Sequence, residues 1–260
     1  MTQSQFNDGE TYERLMGRWS RMVGVQFIEW LSPAKGLRWL DAGCGNGAFT
    51  EEIFANCEPA AVTGIDPSPS QIDYARKRAS VSKAQFRVGD AQALPFADAS
   101  FDAATMALVI AFIPDAAKAV SELVRVVKPG SMVATYMWDM PDGVPVRPMY
   151  KAIAALGYPA PMPPNAAASK IEKLISLWED AGLTAVQSKI ISIETSFASF
   201  DDLWETLTLP SGPQGVFVAG LPDPAQQELR KILKAQVPIQ ADGRIVYPSF
   251  SNAVKGIKAG

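Results

Sequence analysis

Asp41-Ala42-Gly43-Cys44-Gly45-Asn46-Gly47 lies between a short apolar stretch, Leu37 to Ala42, and a segment that reads as a helix. Its glycines let a ligand approach the backbone, and the helix N-terminus behind them offers free N–H groups. A strand, a glycine turn and a helix in that order form a site for a polar ligand. The spacing is GxGxG, with an aspartate two residues before the first glycine, whereas a dinucleotide loop calls for GxGxxG. No Lys followed by Ser or Thr closes the loop, so a nucleoside-triphosphate P-loop does not fit.

Downstream, strand and helix signals alternate. Asn46 is placed to cap the helix after the loop, with Glu51 and Glu52 in its early turns. Ala61 to Asp66 reads as a second strand ending in an acid about twenty residues after the loop, where a carboxylate accepts from a ribose diol. Ser68-Pro69-Ser70-Gln71 is a capping box with proline at the first helical position. Phe86 and Val88 mark a third strand ending at Gly89-Asp90, and Phe101 to Val109 is apolar enough for a fourth strand buried on both faces. Asp115 caps a helix carrying Val120, Leu123, Val124 and Val127, Lys128-Pro129-Gly130 stops it, and Met132 to Trp138 is a fifth strand.

Upstream, Tyr12, Met16, Trp19, Val23, Phe27 and Trp30 recur at helical spacing, which predicts one or two amphipathic helices up to Leu31. Beyond Trp138 the pattern loosens. Residues 139–168 form a Pro- and Ala-rich connection with a short helix near Met149 to Leu156. Ser169 is expected to cap a helix that Gly182 ends, followed by a strand over Ala185 to Glu194. Residues 198–240 hold two expected helices, one from Ser199 and one from the capping box Asp223-Pro224-Ala225-Gln226. Arg244 to Val254 is a closing strand. The expectation is an α/β fold: a doubly wound, mostly parallel seven-stranded sheet with flanking helices and helical insertions over its C-terminal edge. Three regions follow: cap helices over 1–35, a ligand-binding core over 36–138, and remaining strands with covering insertions, about 139–168 and 198–240, within 139–260.

Composition narrows the chemistry. Of 260 residues, 48% are hydrophobic and 20% charged, which supports a packed core. The net charge of -3, without a run of Lys or Arg, argues against nucleic acid as a partner. No membrane-spanning stretch or signal peptide is visible, so a cytoplasmic protein is expected. The chain has two cysteines, Cys44 and Cys57, and no histidine. A His/Cys zinc site, a Ser-His-Asp triad and an imidazole base are excluded, and no metal site is expected.

The stretch Gly89-Asp90-Ala91-Gln92-Ala93-Leu94-Pro95-Phe96-Ala97-Asp98-Ala99-Ser100-Phe101-Asp102 resembles the third- and fourth-strand signature of class I S-adenosyl-L-methionine (SAM) dependent methyltransferases. Val126-Val127-Lys128-Pro129-Gly130-Ser131 resembles their junction into the fifth strand. With the 41–47 loop, these signatures occur in the family's order and spacing from about Leu37 to Trp138. Within the family, the chain is most similar to small-molecule enzymes of the ubiquinone/menaquinone methyltransferase-like, type 11 group.

The resemblance implies a Rossmann-like SAM methyltransferase that leaves S-adenosyl-L-homocysteine as product. It implies that the backbone of Ala42, Gly43, Cys44 and Gly45 meets the methionine part, and that Asp41 supports the loop. Asp66 would hold the ribose, with Pro67 and Ser68 beside the adenine. Asp90 would accept from the adenine amino group, flanked by Ala91 and Gln92, while Ala107 and Leu108 flank the methionine chain. From the N-terminal segment, Arg18 is expected to pair with the cofactor carboxylate, with Tyr12 and Trp19 beside it. The chain departs from its relatives at Ala111-Phe112, where histidines are frequent. No catalytic residue is assigned. The partner is a small-molecule methyl acceptor, apolar or aromatic, with Tyr136, Met137, Trp138, Met140, Trp204 and Phe217 as expected pocket walls. A fourth strand followed by Ala107-Leu108-Val109-Ile110 instead of Asn-Pro-Pro-Tyr counts against amino-methylation of DNA bases or glutamine. Two alternatives remain open: an NAD-type oxidoreductase, and a SAM-binding partner protein without turnover.

Overall fold

The computed structural model describes residues 13–260. A π-helical turn, Glu13–Gly17, leads into α1, Arg18–Leu31, which buries Trp19, Val23, Phe27 and Leu31. Tyr12 lies outside the described residues. Five strands and three helices follow: β1 (Arg38–Ala42), α2 (Ala48–Cys57), β2 (Ala61–Asp66), α3 (Pro69–Lys77), β3 (Gln85–Val88), β4 (Phe101–Ala107), α4 (Ala116–Val126) and β5 (Val127–Trp138). The second half adds α5 (Arg147–Ala155), α6 (Ile171–Asp180), β6 (Leu183–Phe197), α7 (Phe200–Leu207), α8 (Gly212–Ala219), α9 (Asp223–Gln236) and β7 (Ile245–Lys258).

The seven strands form one sheet in the order β3-β2-β1-β4-β5-β7-β6. β1 to β5 pair in parallel, and β7 runs antiparallel to both neighbours. The expected fold class is therefore the observed one. The strand order reverses between β1 and β4, and the crevice beyond their C-terminal ends is where open α/β sheets bind ligands. On one face α1 packs on α2, and Phe27 and Phe49 meet Tyr136 of β5. α4 and α6 pack together, and the Trp178 indole N–H donates to the Val133 carbonyl at 2.9 Å.

Several local expectations need correction. The Lys128-Pro129-Gly130 break lies within β5, as a bulge between the pairs Phe101↔Val127 and Ala103↔Met132. β4 stops at Ala107, because Leu108 takes a left-handed φ of 61°. Ser169 is not the cap of α6, since its hydroxyl accepts from the Met140 N–H and donates to the Ala166 carbonyl. The Asp223 box is not formed either, and Gln226 donates to the Leu221 carbonyl instead. α8 is an additional helix, begun by Gly212-Pro213 and read from sequence only as connection. Ser68, Asp115 and Ser199 cap as expected, each accepting a backbone N–H of the first turn. Among the described residues no helix is long and apolar enough to cross a membrane, and no group of three or more His, Cys, Asp or Glu could hold a metal ion.

Candidate active site

The glycine loop is fastened to the end of β2. The N–H groups of Gly43 and Cys44 both donate to the Ile65 carbonyl, at 2.7 and 3.0 Å. Asp66 Oδ2 accepts from the Gly45 N–H at 3.0 Å, and Oδ1 accepts from the Ser68 N–H at 2.8 Å. Each carboxylate oxygen retains a second lone pair for a ligand. Burial raises the Asp66 carboxyl above its ordinary range, while the two amide bonds pull it back. The glycines differ in purpose. Gly43 has φ 76°, and a Cβ there would lie 2.5 Å from the Val109 side chain, so packing demands glycine. Gly45 has φ 51°, and a Cβ there would meet nothing within 4 Å. That space is open to the cavity the loop lines.

Behind the loop, Asp41 is fully buried at the end of β1. Its Oδ2 accepts from Thr50 Oγ at 2.7 Å, and its Oδ1 is without a partner. Burial raises its pKa to about 7, opposed by the Thr50 bond and assisted by the Asp66 charge. Burial, with Asp41 and Asp66 nearby, also pushes the Cys44 thiol well up. A thiol held protonated in this way is a poor nucleophile and a poor base.

The loop opens into a cavity of about 630 Å³. One end is lined by Gly43, Cys44, Gly45, Asp66, Pro67 and Asp90, with Ala91, Gln92, Ala107 and Leu108 beside them. The Gln92 N–H donates to Asp90 Oδ1 at 2.8 Å, and Gln92 Oε1 accepts from the Asp115 N–H at 3.0 Å, which ties this segment to the start of α4. Leu108 turns the chain at the end of β4, its N–H donating to the Tyr136 carbonyl at 2.8 Å. The other end is walled by Phe112, Tyr136, Trp138, Met140, Tyr150 and Gln214.

The structure thus brings most of the expected residues to one cavity, but not all. Ala42 and Ser68 are buried and are not among the lining residues. Arg18 and Trp19 are also absent from the lining. The Arg18 guanidinium donates to the Ser196 carbonyl at 2.9 Å and lies over the rings of Trp19 and Phe197. One turn further along α1, Arg21 does line the cavity, paired with Glu52 at 3.2 Å. Helical periodicity alone does not settle which of two arginines three residues apart points inward. Tyr136, Met137, Trp138 and Met140 are walls as expected, whereas Trp204 and Phe217 are not. Sequence reading missed Tyr150 and Gln214, which come from helices whose position over the sheet is set by long-range packing. Among the described residues the lining carboxylates are Glu52, Asp66 and Asp90. Glu52 is held by Arg21 and by Asn56 Nδ2 at 3.2 Å. Burial drives the Tyr150 phenol well above its ordinary range, so it stays protonated.

The chain is similar to known proteins in sequence and in fold. Residues 40–135 match a family described as a methyltransferase domain. Over 138 residues the chain is 37% identical to the O-methyltransferase cnsE of Penicillium expansum, covering 51% of this chain and 48% of that protein. Over 131 residues it is 36% identical to a demethylmenaquinone methyltransferase of Staphylococcus aureus, covering 50% and 53%. The chain spans about half the length of the curated relatives it matches. It shares its fold with a phosphoethanolamine N-methyltransferase 2 of Haemonchus contortus, solved with SAM, at TM-score 0.60 and 19% identity over 96% of this chain and 56% of that one.

Proposed function

We propose, from the match of residues 40–135 to a methyltransferase-domain family, that this protein transfers a methyl group from SAM to a small apolar or aromatic acceptor. The observation that carries the reading is the continuity of one cavity from the glycine loop and Asp66 to an aromatic wall. A donor and an acceptor fit end to end in such a space.

The residues present suit the cofactor. Gly45 leaves open space where a side chain would stand, and both Asp66 oxygens keep lone pairs for the ribose hydroxyls. Asp90, Ala91 and Gln92 would take the adenine edge beside Pro67. Ala107 and Leu108 would flank the methionine chain, with Gly43 and Cys44 beneath it. On the N-terminal side Arg21 stands nearer the cavity than Arg18, and we assign the carboxylate end to it. When bound, the cofactor supplies a methyl group activated on a sulfonium and leaves as S-adenosyl-L-homocysteine. The protein's own part is alignment and exclusion of water: Phe112, Tyr136 and Met140 close the cavity around the acceptor. With no histidine in the chain, Cys44 and Tyr150 held protonated, and Glu52 engaged by Arg21, the acceptor is one that ionises readily or offers a free lone pair. The relatives named as an O-methyltransferase and as a demethylmenaquinone methyltransferase support an oxygen atom or a quinone-type compound as acceptor. In this reading residues 1–35 cover the site, 36–138 hold the cofactor and 139–260 wall the acceptor. The free, buried thiols of Cys44 and Cys57 support a reducing, cytoplasmic setting.

Calorimetry tests the reading. The protein should bind S-adenosylhomocysteine and not NAD, and the reverse result would overturn it. Asp66→Ala removes the ligand contact and leaves the Gly45 and Ser68 amides without their acceptor. S-adenosylhomocysteine affinity should fall more than tenfold, about 1.5–3 kcal/mol. Incubation with SAM and a panel of phenols should add one methyl group by mass. A protein that binds the cofactor yet modifies nothing across phenols, amines, thiols and carboxylic acids would be the non-catalytic partner instead.

A further inference from the structure

Gln214, in the first turn of α8, belongs to the cavity wall and is otherwise buried, at 2% exposed. Only one end of its side-chain amide is used. Nε2 donates to the Ser211 carbonyl at 3.3 Å. A carbonyl can only accept, so this bond fixes which end of the amide is the nitrogen. Oε1 makes no hydrogen bond among the described residues. The partnerless polar atoms of Trp39, Trp138 and Ser211 are sealed inside the protein, and Gln214 Oε1 is not one of that set: it keeps a small accessible surface. On a buried residue that lines the cavity, the cavity is the space to which such a surface opens.

Local structure explains why this oxygen is spare. Gln214 stands three residues after Ser211, the N-cap of α8. A glutamine at that position ordinarily turns its side chain back to accept the N-cap N–H. Here the Ser211 N–H donates to the Leu209 carbonyl at 2.6 Å, and the Ser211 hydroxyl does not cap the helix. The same turn presses on the helix start. A Cβ on Gly215 would lie 1.8 Å from the Leu209 carbonyl oxygen, so glycine is required there. The residues at this end of the cavity, Trp138, Met140 and Tyr150 among them, carry no charge. Of the ionic side chains in the lining, Arg21 and Glu52 are paired with each other, and Asp66 and Asp90 belong to the loops at the other end. A cationic group would find no counter-charge beside Gln214, whereas a neutral donor finds a free acceptor.

We infer that the methyl acceptor carries a neutral hydrogen-bond donor, an O–H or N–H besides the atom that is methylated, and that Gln214 Oε1 receives it. Buried polar groups are nearly always satisfied in folded proteins and their complexes. A compound with a donor at this point pairs the oxygen, and one without it expels solvent and leaves the oxygen unpaired. Gln214 is therefore a specificity-determining residue: it selects the acceptor and orients its ring, and it takes no part in the transfer itself. The inference rests on the methyltransferase reading and narrows its substrate class.

The test uses the full chain saturated with S-adenosylhomocysteine and three probes of one ring pattern: a naphthalenediol, the matching aminonaphthol and the matching fluoronaphthol. They differ only in O–H, N–H or C–F at the second position. The diol or the aminonaphthol should bind about tenfold more tightly than the fluoronaphthol, as expected for pairing a buried acceptor. Gln214→Met keeps the side-chain length and removes the acceptor. In that variant the preference should shrink to about twofold or less, with S-adenosylhomocysteine affinity and thermal unfolding close to those of the parent. The ranking of probes on the parent protein is decisive even where the variant fails to fold. Equal binding of all three, binding of none, tighter binding of the fluoronaphthol, or a preference that survives Gln214→Met would overturn the inference and leave the cofactor reading intact. Failure to bind S-adenosylhomocysteine at all would overturn both.

Discussion

Two buried aspartates stand at strand ends of the same sheet, and their surroundings differ. Asp41, at the end of β1, is fully buried, with a threonine hydroxyl on one oxygen and nothing on the other. Asp139, just past β5, is nearly as buried, but Lys170 Nζ lies 2.6 Å from its Oδ1 and Asn252 Nδ2 donates to its Oδ2 at 2.7 Å. The first sits in a short-range structure, since Thr50 is nine residues away. The second joins positions 31 and 113 residues apart and pins the acceptor cover to β7. Around the glycine loop the chain relies on local backbone geometry and tolerates an uncompensated acid. Past β5 it relies on distant partners and pairs the acid with a lysine.

The largest expected effect breaks this contrast at Asp41. Its folded pKa of about 7 stands above the ordinary 3.8. Between those values the folded protein keeps a proton that the unfolded chain has lost. Stability is therefore greatest at the acid end and falls as pH rises from about 4 through 7. At about 1.4 kcal/mol per unit, the total loss approaches about 4 kcal/mol. Asp41→Asn cannot titrate, so denaturant unfolding from pH 4 to 8 should show this part of the slope removed. A slope identical to the parent's would mean that Asp41 is ionised throughout.

This contrast also explains what was legible in the sequence. That the loop, Asp66, Asp90 to Gln92 and Ala107-Leu108 line one cavity was readable because each stands at or just past the end of a strand, where its immediate neighbours place it. Ser68 and Asp115 were readable as caps for the same reason. The cover was not. Ser169 looks like a cap because it precedes a helical pattern, but Met140, 29 residues back, claims its hydroxyl. α8 opens with Gly212-Pro213-Gln214-Gly215, a run whose local preference is for a turn, and it becomes helical where Val218 and Gln214 are buried against the rest of the molecule. Tyr150 and Gln214 reach the cavity only because those helices fold back over the strand ends.

A smaller effect sharpens the comparison on the acceptor side. Asn252→Ala removes the amide that donates to Asp139 Oδ2 and to the Ser169 carbonyl at 2.9 Å. It leaves a buried carboxylate oxygen and a buried carbonyl without this donor. The expected cost is about 2 kcal/mol in chemical denaturation. Cofactor affinity should hold, because β7 contributes no residue to the lining. If S-adenosylhomocysteine binding weakened as much as stability, the two halves would be coupled, and the division drawn between them would fail.

The smallest effect is expected at Arg18, where sequence reading and geometry part most clearly. An arginine in the helix before the first strand is well placed on paper to meet a carboxylate. In the folded chain it reaches the other way, donating to Ser196 of β6 and covering Trp19 and Phe197. It therefore belongs to the cover half although it lies at the start of the chain. Its side chain is exposed, so Arg18→Ala should cost less than about 1 kcal/mol of stability, from a lost cation–π contact and one carbonyl bond. S-adenosylhomocysteine affinity should stay within about twofold, because the guanidinium does not reach the cavity. Arg21→Ala is the matched control: it faces the cavity, and its loss should weaken binding several-fold while also freeing Glu52. If the Arg18 variant lost affinity and the Arg21 variant did not, α1 would have to rotate by about 60° when the cofactor binds.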